Sequence, residues 1–137
     1  MSCKKATSPI DITKNVAGDC DLKCEYSFKY SRTNLIARNK GDYILFRPSV
    51  IANTSDVIYN SDDYMVTGIR LYQPSLHTYG GKKANAELII THSNISGAGS
   101  LIVCVPIMKG SSSDSTLNDI VNSVARLAPT EGSNAGQ

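Results

Sequence analysis

His77-Thr-Tyr-Gly-Gly-Lys-Lys-Ala-Asn-Ala-Glu-Leu-Ile-Ile-Thr-His92-Ser-Asn94 is the stretch on which the fold turns. Gly80-Gly81 supplies a turn, and the run from Ala86 to His92 that follows has the length and bounding residues of a β-strand. Upstream, Tyr64 to Tyr72, Val57 to Tyr59, Tyr43 to Phe46 and Asn34 to Arg38 are further short strands, with Asn39-Lys-Gly41 as a turn between the last two. From Leu22 to Tyr30, the residues Leu22, Cys24, Tyr26, Phe28 and Tyr30 alternate with polar neighbours, a period of two that predicts one face inward and one in water. Downstream, Ser96-Gly-Ala-Gly99 is a turn before Leu101-Ile-Val-Cys-Val-Pro-Ile-Met108. That run is apolar on both alternating sets, which predicts a central strand covered on both faces; Pro106, which cannot donate to a ladder, marks where pairing on one side stops.

Only one helix is predicted. After Gly110-Ser-Ser-Ser-Asp114, the residues Leu117, Ile120, Val121, Val124 and Leu127 recur at three- and four-residue spacing as one apolar stripe. Asp114 or Ser115 can cap it, Arg126 suits the dipole in its last turn, and Pro129 ends it. The expected organisation is a mainly β domain over 1–129 with one late amphipathic helix, then a flexible polar tail over 130–137.

Composition narrows the function classes. The 137 residues, 41% hydrophobic and 19% charged, have the balance of one soluble globular domain, large enough to bury roughly two-thirds of its unfolded surface without obligatory cross-links. A formal charge of +2 from 14 basic and 12 acidic residues is scattered along the chain, with Lys4-Lys5 and Lys82-Lys83 the only adjacent basic pairs, so no nucleic-acid surface is expected. No run reaches the ~20 apolar residues of a membrane span, and Met1 to Leu22 lacks the apolar segment of a signal peptide. Synthesis in the cytosol, with Cys3, Cys20, Cys24 and Cys104 as thiols, is the corresponding expectation. Cys20 and Cys24 lack a second ligand pair at metal-binding spacing. Cys104 sits in an apolar strand, which raises a thiol pKa and argues against a cysteine nucleophile. The sequons Asn53-Thr-Ser55 and Asn94-Ile-Ser96 have no assigned use.

Three stretches, in order, resemble the α-carbonic anhydrase family. Ser8-Pro-Ile-Asp-Ile12 is similar to its N-terminal Gln-Ser-Pro-(Ile/Val)-(Asp/Asn)-Ile signature, with Thr7 in place of Gln. The stretch from His77 to Asn94 resembles Glu-His-Thr-(Val/Ile)-(Asp/Asn)-Gly-Lys-x-(Tyr/Phe)-x-Ala-Glu-Leu-His-Leu-Val-His-Trp-Asn over a long ungapped window, and Leu101 to Gly110 resembles the family's later apolar strand. The resemblance implies a truncated α-carbonic-anhydrase-like sheet, since the family's later Thr-Thr-Pro-Pro segment has no counterpart.

It also implies what has been lost. The family holds zinc on three neutral imidazoles and ionises a bound water. The corresponding positions here are Arg70, Tyr72 and Ile89, and no histidine lies before Tyr72 to restore them. Arginine stays protonated and cannot ligate zinc, tyrosine is a poor ligand and isoleucine none. What the resemblance retains is scaffold: His77 and Glu87 of the ligands' outer environment, and His92, buried and structural. Glu87, if buried, needs a partner, for which His77 or Arg70 could serve. The expectation is therefore a module without catalysis, metal or cofactor that binds other protein chains of an assembly, with a glycan as a second partner class. A short, divergent copy without a signal peptide fits a virion component of a large DNA virus by family analogy. The competing expectation is a zinc-dependent hydro-lyase completed by another segment or chain.

Overall fold

The computed structural model describes residues 9–13 and 25–110. Cys3, Cys20, Cys24, the helix expected after Asp114 and the tail lie outside them. Ten strands follow in chain order: β1 (Asp11–Ile12), β2 (Tyr26–Phe28), β3 (Leu35–Asn39), β4 (Tyr43–Pro48), β5 (Val57–Tyr59), β6 (Asp62–Tyr72), β7 (Thr78–Tyr79), β8 (Lys82–Lys83), β9 (Ala86–Asn94) and β10 (Ser100–Ile107). The described part is thus mainly β, as the alternation and turn residues predict.

Seven strands form one antiparallel sheet in the order β10-β9-β6-β4-β3, with β5 on the first residues of β6 and β2 on β5. β6 is its spine, pairing with β9 along its length, with β4 over Ile69 to Tyr72 and with β5 over Asp62 to Tyr64. Such a long strand can change partners because it carries a bulge: the register with β9 shifts between Val66 and Gly68. Thr67 Oγ1 donates to the Thr91 carbonyl at 3.1 Å, and Thr91 Oγ1 donates to the Gly68 carbonyl at 3.0 Å, so two hydroxyls replace ladder bonds lost at the bulge.

Two-residue turns set the register of the hairpins. Gly80 and Gly81, at φ 60° and 77°, join β7 to β8, and Asn60 and Ser61, at φ 49° and 71°, join β5 to β6. Positive φ at both central positions matches the right-handed twist of the flanking strands, and glycine adopts it without steric cost. The second turn was not foreseen, because Asn-Ser is a weaker signal than a glycine pair.

A smaller sheet, β1-β7-β8, ties the chain's first described residues to the quoted stretch. β1 runs parallel to β7, and Asp11 Oδ1 accepts the Thr78 hydroxyl at 2.7 Å and the Gly81 N–H at 2.8 Å. The two sequence motifs meet here in space.

Two expectations need correction. The segment from Leu22 to Tyr30 gives only a three-residue strand within the described part, and Tyr26, Phe28 and Tyr30, the set expected inward, are exposed, Phe28 to 64%. Among the described residues β2 pairs with β5 alone, at the end of a narrow ribbon. Its rings pack on one another instead, at centroid separations of 5.8 and 5.6 Å. Likewise, β10 is not central: among the described residues it pairs only with β9, and Ile102 is 60% exposed. Pro106 sits on that edge, where its missing N–H costs the ladder least.

Candidate functional site

Cross-strand register places Arg70, Tyr72, Ile89 and Glu87 on one face. Arg38, Leu45, Arg70, Ile89 and Cys104 lie in one row across β3, β4, β6, β9 and β10, and Tyr43, Tyr72, Glu87 and Pro106 form the next. Arg70 stands directly opposite Ile89, and Tyr72 opposite Glu87. The Arg70 guanidinium lies 5.6 Å from the centre of the Tyr43 ring, and Tyr43 packs against Tyr72 at 5.2 Å. Burial raises the Tyr72 hydroxyl pKa against the opposing pull of Arg70, so it is a phenol, not a phenolate.

Glu87 is fully buried. Its Oε2 accepts the N–H groups of Leu76 and His77 at 2.8 and 3.0 Å, and its Oε1 accepts the Tyr79 hydroxyl at 2.6 Å and the His77 ring at Nδ1, 2.8 Å away. Burial alone would raise the Glu87 pKa; the hydrogen bonds from Tyr79 and His77 overcome it and hold the carboxyl below its ordinary value. A carboxylate that only accepts fixes the His77 proton on Nδ1. Of the two partners considered for Glu87, His77 fills the role, while Arg70 turns to Tyr43. Tyr79, the strongest new member, was missed although it lies in the quoted stretch, because a tyrosine two residues from a histidine carries no local signal. Ser75, also buried, braces the network: its hydroxyl donates to the His77 carbonyl at 2.6 Å and accepts the Ala84 N–H at 2.9 Å.

His92 lies on the other face, 1% exposed. Its Nδ1 donates to the Leu101 carbonyl at 3.1 Å, which leaves Nε2 to accept from the Tyr30 hydroxyl at 3.2 Å. Burial lowers its pKa and keeps it neutral. The structure therefore brings Arg70, Tyr72, Ile89, His77 and Glu87 together and sets His92 apart.

One group of potential metal donors exists among the described residues: His77, Glu87 and Cys104, whose donor atoms lie within 4.8 Å of one another. The four acceptor positions of Glu87 are already taken, so a cation would have to displace buried donors. Burial, then the nearby Glu87 charge, raises the Cys104 pKa and keeps the thiol protonated. The cluster is a satisfied hydrogen-bond network with a thiol beside it. A cavity of about 480 Å³ opens on the opposite face among Leu35, Val66, Ile69 and Ile90; its one carboxylate, Asp56, accepts the Val66 N–H at 2.9 Å.

The fold is that of the α-carbonic anhydrases. The structure is similar to dioscorin solved with ascorbate (TM-score 0.72, 23% identity, covering 94% of this chain and 53% of that one). It is also similar to the α-carbonic anhydrases of Thermovibrio ammonificans, solved with sulfanilamide (0.65, 22%, 93% and 52%), and Photobacterium profundum (0.69, 18%, 92% and 53%). The chain spans about half the length of these structures. No protein-family model and no curated protein sequence matches it.

Proposed function

We propose that this chain is a catalytically silent member of the α-carbonic anhydrase family that works by binding other proteins, as a component of a larger assembly. The observation that carries the reading is the row in which Arg70 faces Ile89, with Tyr72 one step along β6. These are the positions that the motif resemblance assigns to the three zinc-binding imidazoles, and a guanidinium, an aliphatic chain and a protonated phenol do not fit a zinc ion. The network behind them is closed by protein groups, with Glu87 orienting His77 and accepting from Leu76 and Tyr79, which is a stabilising role. The exposed apolar side chains of β10, Ile102 and Val105, with Met108 just beyond, support the assembly reading, and a virus particle is one setting that it fits.

The test is elemental analysis and stopped-flow carbon dioxide hydration on the purified chain. Zinc well below one per chain and hydration at the buffer rate are expected; one tightly held zinc with catalysis would overturn the reading. The chain's span of about half its structural relatives favours a second reading, a hydro-lyase completed by another segment or chain. Hydration that appears only when such a partner is added would establish it.

A further inference from the structure

The hairpin of β3 and β4 gathers charge that looks dispersed in the sequence. Ile36, Arg38 and Lys40 alternate along β3 and its turn, so they share one face, and Leu45 and Arg47 face the same way from β4. Register sets Arg38 opposite Leu45 and Arg47 opposite Ile36, which makes the two arginines diagonal neighbours. Together with Pro48 these residues line a cavity of about 200 Å³. Its walls carry three cations and no carboxylate, over a floor of Ile36, Leu45 and Pro48. The ion pair found among the described residues is His77 with Glu87, so no described acid lies within 4 Å of Arg38, Lys40 or Arg47.

Like charges set diagonally on a sheet repel one another, so three cations around one depression raise the local positive potential and favour an anion there. A guanidinium carries paired N–H donors that suit the oxygens of a tetrahedral oxyanion, and Lys40 adds a point charge by the turn. The apolar floor beside them would take the carbon portion of an ester. We propose that this cavity is an oxyanion site that takes a phosphate or sulfate monoester, its charged oxygens between Arg38 and Arg47 and its organic group on Ile36, Leu45 and Pro48. The site is on the Arg70 face but separate from it, since Arg70 is turned to Tyr43, so the inference stands whether or not a zinc site is restored.

Calorimetric titration of the full chain at low ionic strength, where screening is weakest, tests the proposal with phenyl phosphate, phenyl sulfate and inorganic phosphate as probes. Saturable binding of at least one aryl ester is expected, several-fold tighter than inorganic phosphate because the ring covers the floor. The stronger of the two esters identifies the group recognised. In Arg38→Gln/Arg47→Gln, affinity falls by about tenfold or more, whereas Lys82→Gln, on the smaller sheet, stays within about twofold. The double variant keeps its melting temperature or gains in it, since repulsion is relieved. Unchanged affinity in the double variant, or no saturable heat with either ester, overturns the proposal.

Discussion

Replacing Glu87 with glutamine keeps the shape of the side chain and removes its charge, which makes Glu87→Gln a direct test of what holds the centre of this sheet. In the native protein one carboxylate accepts four donors, from Leu76, His77 twice and Tyr79, with no access to water. The amide has one oxygen, so at least two of those donors must face an NH₂ group instead. Hydrogen bonds to a charged acceptor contribute about 1.5–3 kcal/mol each, and a buried donor left unpaired costs about 1–3 kcal/mol. A loss of roughly 3–5 kcal/mol follows, a large part of the ~5–15 kcal/mol typical of a domain. Urea unfolding followed by circular dichroism measures it as a fall in midpoint at unchanged slope. pH supplies a second readout. The folded-state pKa of Glu87 is lowered, so its contribution is present above the unfolded carboxyl pKa and is lost as pH falls through the folded one. Acid dependence in that window should flatten in Glu87→Gln. A variant within about 1 kcal/mol of wild type, with the acid limb intact, would refute the reasoning.

Tyr30→Phe removes the hydroxyl that donates to His92 Nε2, with an expected loss of about 0.5–1.5 kcal/mol and a rise in the His92 pKa, read by NMR titration. Because burial lowers the folded His92 pKa, its contribution is present above the unfolded value and lost as pH falls toward the folded one. Ser61→Gly relieves a side chain held at φ 71° and should raise stability by about 0.5–1 kcal/mol in thermal unfolding, whereas Gly81→Ala at φ 77° should lower it by about 1 kcal/mol or more. Ile102→Lys/Val105→Lys places charge on the exposed edge of β10; sedimentation at micromolar concentration should show associated wild-type chain and monomeric variant, and a monomeric wild type defeats the assembly reading.

Most of the longer strands were legible in the sequence from pattern and turn residues, and Tyr43 to Phe46, Val57 to Tyr59 and Ala86 to His92 fall within observed strands, whereas the two-residue strands β1, β7 and β8 were not predicted. Which strand lies at an edge was not. The run from Leu101 to Met108 is apolar on both faces for reasons that local pattern cannot separate: burial under neighbours within the chain, or contact with another one. The Leu22 to Tyr30 alternation misleads in the same way, since aromatic rings can satisfy one another on a surface. Of the site, the pairing of Glu87 with His77 was accessible through motif resemblance, but Tyr79 and Ser75 reach it through contacts across the chain, to Glu87 and to Ala84, that no local pattern announces. Arg38, Lys40 and Arg47 read as scattered charge because spacing along the chain hides what a hairpin places side by side.

The clasp between β1 and β7 has a kinetic consequence. Thr78 and Gly81 reach Asp11 across sequence separations of 67 and 70 residues, and each strand of the clasp is two residues long. Closing a loop of that size costs about 4 kcal/mol in chain entropy, against a handful of largely exposed hydrogen bonds. Those contacts cannot form early, when nothing else holds the two ends near each other; they lock only after β6 and β9 have zipped. The same imbalance operates in reverse. The clasp is the first piece to let go, and amide exchange at Thr78 and Gly80, which donate to Ile10 and Ile12, should proceed through brief local opening while Ile89 and Ile90 wait for the whole sheet to part.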